Sequence, residues 1–274
     1  WELVFAAFTA TSYSTLSSGS GTFTVPDGAN AIHIEASVGG GGGAAGGVSY
    51  DRAGGESAGA GGGSGAFVSD KVFTVTTGET ISYSIGSGGA AGNQTANYGQ
   101  PKTGSAGTNT TLSGSSAGSI YTLAAGGGAS GTGGGVQGPL RTNTSGSAGA
   151  ATINGTAITS GNFRDSDGTT KSVTTLNSGP VGIFNQSGNG TVGANNGNCS
   201  GDNCQIGGSP GGTSYAGNIA GGTGSPQGGS TGGGAGTRGS GGGGGGAQYG
   251  NESVTGRAEV GGAGEVKYRF LRVN

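Results

Sequence analysis

The only histidine, His33, stands two residues before Glu35 in the run Ile32-His33-Ile34-Glu35. On an extended strand such residues share a face, so the pair has the spacing for proton transfer. A solvated strand face is the plainer reading. With one histidine, neither a Ser-His-Asp nor a Cys-His arrangement has a second base to draw on. Asp165-Ser166-Asp167-Gly168 opens like a calcium loop but lacks the third ligand and the distal Glu of that motif, and it reads as a turn. Cys199 and Cys204 frame the run CSGDNC. Paired, they close a small loop and suit an oxidising, extracellular setting; free thiols are the alternative. Zinc normally takes four ligands, which one histidine and two cysteines do not supply, so no metal is expected. G-x-G-x-x-G recurs, as it must in so glycine-rich a chain, but no GK[ST] follows it to cradle a phosphate. The expectation is a protein without enzymatic activity and without a cofactor.

Binding chemistry has more to work with. Aromatic residues stand among polar and charged ones in segments between glycine blocks, and such rings are enriched where proteins grip partners. Tyr50, Asp51, Arg52, Tyr98, Lys102, Arg141, Phe163, Arg164, Asp165, Phe184 and Tyr215 are therefore expected to be exposed contact residues. The competing reading is that each ring folds back to cover the base of its own loop.

Something must hold those segments in place, and the composition restricts what it can be. Glycine supplies 73 of the 274 residues, hydrophobic residues 30% and charged residues 9%. Good helix formers are scarce, so essentially no α-helix is expected. Apolar side chains this sparse cannot alone offset the conformational entropy of ordering the chain. Main-chain hydrogen bonding and close chain packing must supply an unusual share. The net charge of −2, with scattered Lys and Arg, argues against nucleic acid. No apolar run approaches the ~18 residues that cross a bilayer.

Strand patterning is confined to three regions, at about 22–38, 66–85 and 265–273. In the first, Phe23 and Val25 share a face and Pro26-Asp27-Gly28 turns. Ile32, Ile34 and Ala36 then alternate with His33, Glu35 and Ser37. In the second, Phe73 and Val75 lead to a turn at Thr77-Gly78, and Ile81, Tyr83 and Ile85 line one face. In the third, Val266, Tyr268 and Phe270 lie opposite Lys267 and Arg269. The first two regions read as β-hairpins. Residues 1–20 read as an attachment strand or linker, and 21–274 as the glycine-rich domain.

The opening FTVPDGANAIHIEASV running into GGGGG, the later SGAFVSDKVFTVTTGETISYSIGSGG, then LAAGGG and a strand after a late glycine run, resembles the glycine-rich domain at the distal tips of bacteriophage tail fibres. The likeness spans roughly Gly19 to Asn274. It implies stacked polyproline-II helices flanked by antiparallel strands, with variable segments exposed as receptor-binding loops. It also implies a place on the virion, outside the cell. The partners would be the rest of the fibre and a bacterial outer-membrane protein or surface polysaccharide, with a monomeric tip or a homotrimer. Two other readings stand beside it, a structural fibre or coat protein with no specific receptor and an ice-binding polyproline-II protein.

Overall fold

The computed structural model describes residues 8–44, 60–92, 103–129, 144–176 and 258–274, together with 56–57, 183–184, 195–196, 205–206, 211, 235–236, 239, 241 and 247–248. In chain order the strands begin with β1 (Ser14–Leu16), β2 (Ser20–Thr24), β3 (Ala31–Val38) and β4 (Glu56–Ser57). They continue with β5 (Phe67–Thr74), β6 (Thr80–Ser84), β7 (Thr110–Gly114), β8 (Gly118–Leu123) and β9 (Ala151–Ile153). A hairpin of β10 (Asn162–Arg164) and β11 (Thr170–Ser172) leads into the short helix α1 (Val173–Leu176). After it come β12 (Ile183–Phe184), β13 (Asn195–Asn196), β14 (Gln205–Ile206), β15 (Ala247–Gln248) and β16 (Glu265–Leu271).

Two five-stranded antiparallel sheets carry the fold, in the orders β1-β16-β3-β5-β12 and β2-β6-β7-β8-β9. Their facing surfaces share one core, in which Ile32, Ile34, Phe73, Val266, Tyr268 and Phe270 of the first sheet meet Ile81, Leu112, Ile120, Tyr121 and Leu123 of the second. Phe23 stacks on Tyr268 with ring centroids 4.5 Å apart. The molecule is thus essentially all-β, as its composition requires.

The two expected hairpins are something else. β2 pairs with β6, and β3 pairs with β5, so each turn carries the chain from one sheet to the other. The sequence repeats itself at these corners: Phe23-Thr24-Val25 precedes Gly28, and Phe73-Thr74-Val75 precedes Gly78. Gly28 and Gly78 both have positive φ, at 87° and 77°, which a side chain would oppose. The corners bond to each other, Val25 donating to the Glu79 carbonyl, Gly78 to Val25 and Val75 to Asn30. The buried Glu79 carboxylate fastens them to the β7–β8 turn by accepting from the N–H groups of Thr76, Ser116 and Ala117. A local alternation pattern cannot tell a hairpin from such a corner, because both place alternate residues inward.

The alternation in β3 also breaks. Against β16 the register slips between Lys267 and Tyr268, leaving Glu35 as the extra residue of a bulge. Beyond it Ser37, expected on the face of His33, turns inward, and its Oγ accepts the buried Tyr121 hydroxyl at 3.0 Å. Within residues 1–20, read as an attachment strand or linker, β1 pairs with β16 and Thr11 donates to the Phe270 carbonyl, which ties this stretch to the first sheet.

At one end of the sandwich the strands run on into glycine. β3 continues as 39–44, β6 as 86–92 and β8 as 124–129; β5, β7, β9 and β16 are entered from 60–66, 103–108, 144–150 and 258–264. Along 39–44 every N–H donates to a neighbouring segment. Gly39 and Gly42 donate to Ala66 and Gly63, Gly40 and Gly43 to Thr108 and Ser105, and Gly41 and Ala44 to Gly262 and Glu259. The partner changes with a period of three residues, the screw of polyproline II. Carbonyls obey the same period: Gly40 and Gly43 accept from Gly126 and Ala129, and Gly41 and Ala44 from Gly89 and Gly92.

Glycine is required here by space and not by backbone conformation. Among these segments no glycine has a positive φ. A Cβ on Gly42 would lie 1.9 Å from the Gly127 carbonyl oxygen, one on Gly43 1.9 Å from that of Ala90, and one on Gly88 1.8 Å from that of Gly261. Packed sheets normally stand about 10 Å apart because side chains fill the gap. Where the side chains end, the layers close, and main chains from both sheets bond directly across what had been the core.

Candidate functional site

The candidate residues fall at two places. The first is the outer face of the β16-β3-β5 sheet, covered by residues 8–13, the β10–β11 hairpin and α1. There Ala10, Ala31, Val72, Phe163, Val173 and Leu271 form a second apolar cluster. His33 belongs to this face and is 1% exposed, so the solvated strand face expected for it is overturned. Its Nδ1 lies 3.2 Å from the Tyr13 hydroxyl and its Nε2 3.6 Å from Asp70 Oδ1. Glu35 does share its face and pairs with Lys267 at 2.6 Å.

Phe163 and Asp165, expected to be exposed, are buried at 1% and 5% exposure. The alternation of β10 explains this: Asn162 and Arg164 face water while Phe163 plugs the cluster. Asp165 receives Arg269 Nη1 at 2.6 Å, and Lys171 closes on its other oxygen. Burial alone would raise the Asp165 carboxyl, but the hydrogen bonds from Lys171, the Ser166 N–H and Arg269 outweigh it and hold the group at about 2. The Arg269 guanidinium sits 4.6 Å from the centre of the Tyr13 ring and 5.5 Å from that of Phe163. Burial pushes the Tyr13 hydroxyl up to about 12; Arg269 opposes the shift, and Glu35, Asp70 and Asp165 add to it. Asp165-Ser166-Asp167-Gly168 is a turn, with Thr169 donating through N–H and hydroxyl to Asp167 and Gly168 at a φ of 80°.

This cluster is a fastening. Arg269 and Asp165 join the C-terminal strand to the hairpin, and Tyr13 adds the N-terminal segment. Arg269, Tyr13 and Asp70 were not singled out by sequence. The signal for Arg269 was its alternation with Tyr268 and Phe270, which says outward-facing but cannot say that another layer covers it.

The second place is the far end of the glycine lattice. Ala44 donates to Glu259, Gly92 to Ala44, Gly104 to Ala129 and Ala129 to Gly43; Ala60 packs on Ala129. The points where 45–59, 93–102 and 130–143 leave and rejoin the lattice are therefore mutual neighbours. Tyr50, Asp51, Arg52, Tyr98, Lys102 and Arg141 fall within these three stretches, and lie outside the described residues, as do Tyr215, Cys199 and Cys204. Phe184 is placed by its backbone opposite Phe67. The described residues nearest the chain ends sit at the opposite pole. Phe8 lies against Gly28 at a corner, and Asn30, just before β3, bonds both main-chain groups of Val273.

These features define an all-β class in which a sandwich runs on into a lattice of bare main chain. Residues 15–271 match the family described as glycine-rich domain, and the chain belongs to that family. No curated protein matches it.

Proposed function

We propose that the chain is a receptor-binding domain at the distal tip of a phage tail fibre, outside the cell, gripping a bacterial outer-membrane protein or surface polysaccharide without enzymatic chemistry. The supporting observation is polarity. Three inter-segment stretches leave one end of the lattice, and the described residues nearest the chain ends lie at the other, where the rest of a fibre would join. A lattice in which main chains bond along three directions limits the motion of the loop ends, so less ordering entropy is lost when a partner is gripped.

The test replaces 48–53 and 94–102 with Gly-Ser linkers and measures adsorption to host cells beside the melting temperature. Loss of saturable adsorption with an unchanged melt is expected, and adsorption equal to the parent overturns the proposal. Protease or periodate treatment of the cells separates a protein receptor from a glycan. Phe163 and Asp165 are excluded from the replacement, because their loss would act through stability.

A further inference from the structure

Among the described residues β2 is an edge strand, and its sequence lacks the usual protection of edges. Ile85 donates to the Gly19 carbonyl and Val25 to that of Glu79, while Gly21 lies opposite Tyr83 and Phe23 opposite Ile81. Antiparallel bonding alternates, so the odd-numbered residues bond to β6. Ser20, Thr22 and Thr24 turn their N–H and C=O groups away from it, and their side chains are exposed. No strand among the described residues pairs with that side. Between Gly19 and Pro26 the edge has no Lys, no Pro, no inward charge and no bulge, the devices by which sheets normally avoid pairing with other chains.

We propose that β2 pairs with β2 of a second copy of this chain, antiparallel and centred on Thr22. The sequence is complementary to itself in that register. Thr22 meets its own counterpart, Ser20 meets Thr24, and all three outward residues fall at hydrogen-bonded positions, giving about six N–H···O bonds. On the inner side Gly21 meets Phe23, small against large, and no like charges face each other. Thr–Thr and Ser–Thr pairs are among the favourable cross-strand neighbours. The second sheet becomes continuous across two copies. A three-fold arrangement would not pair a strand with itself, so the contact is a dimer's.

The test is sedimentation of the whole chain across the micromolar range. The parent is expected to dimerise. Thr22→Pro removes only an N–H that β6 does not use, a site where an edge strand tolerates proline. It should weaken the dimer about tenfold or more with an unchanged melt. Thr22→Lys and Thr22→Glu should each be monomeric alone and dimerise when mixed, because only this register sets residue 22 against itself. A monomeric parent overturns the proposal, as does a dimer indifferent to Thr22→Pro or a lysine and glutamate mixture that stays monomeric. Slow exchange of the Thr22 amide in a monomer also overturns it, assigning the edge to a segment of the same chain.

Discussion

Adding one methyl group at Gly42 tests the lattice directly. A Cβ there would stand 1.9 Å from the Gly127 oxygen and 2.5 Å from its carbonyl carbon. The closest comfortable C···O approach is about 3.3 Å, so 124–129 must retreat by about 1.4 Å. That segment is held against 39–44 by Gly126 N–H to Gly40 at 2.8 Å and Ala129 N–H to Gly43 at 3.0 Å. Both bonds fail at that displacement. Each failure strands a donor and an acceptor, and a stranded buried polar group costs about 1–3 kcal/mol. Gly42→Ala should therefore destabilise by about 4 kcal/mol or more, a large part of the 5–15 kcal/mol that holds a typical domain. For a chain of this size the melting temperature should fall by about 8–16 °C, read by circular dichroism or by urea titration. Gly78→Ala is the control: its φ is 77° and nothing lies within 4 Å of the added Cβ. It should cost about 1–2 kcal/mol through backbone conformation alone, and Gly78→Asn should recover part of that, whereas Gly42→Asn should recover nothing. A Gly42→Ala shift no larger than that of Gly78→Ala refutes the claim that space, and not φ, selects glycine in these segments.

Other consequences can be checked on the same material. Asp165→Asn leaves Arg269 buried without its counter-charge and should destabilise by about 3–5 kcal/mol, measured by urea titration. Because the Asp165 carboxyl is held at about 2, against about 3.9 in an unfolded chain, its contribution is present above pH about 4. It is lost as the pH falls through about 2; Asp165→Asn should flatten that limb of the stability profile. Tyr121→Phe removes the buried bond to Ser37 and should cost about 1 kcal/mol, with Ser37→Ala giving a non-additive double mutant. The amides of Gly39 to Gly43 should exchange slowly with deuterium, as slowly as those of β3, because each is bonded.

The reach of the sequence differed between the sandwich and its covering. Inward positions were legible wherever alternation ran unbroken, as at Ile81 and Tyr83 or at Val266 and Tyr268, because a period of two depends only on the local strand. Pairing was not legible. Phe23-Thr24-Val25 followed by Pro26-Asp27-Gly28 has the pattern of a hairpin and of a corner alike, and only the partner strand, residues away in sequence, decides. The bulge at Glu35 was invisible for the same reason. Phe163 and Asp165 were misplaced because a ring beside charges is the composition of a contact loop and equally of a plug with its own ion pair. What separates them is Arg269, more than a hundred residues along the chain.

The polyglycine that follows β3 and β8, and the glycine runs that precede β5 and β16, has one further consequence. Bare main chain has no side chains to set its register: sliding one segment along another by a three-residue period restores every hydrogen bond. Taken alone, the lattice would have many near-equivalent arrangements, and the entropy of glycine would favour none of them. The sandwich removes the degeneracy. Each lattice segment is the continuation of a strand whose register is fixed by buried residues such as Ile34, Phe73, Leu112 and Tyr268, and a slip of one residue would turn those side chains to water. Side-chain packing thus specifies the arrangement at one end, and main-chain bonding propagates it outward. It follows that weakening the sandwich should scramble the lattice. Leu112→Ala, which empties part of a fully buried position, should cost about 2–5 kcal/mol and should raise deuterium exchange at Gly40 and Gly43 together with exchange in β7. If the lattice amides stayed protected while β7 opened, the glycine segments would be holding their own register without the sandwich.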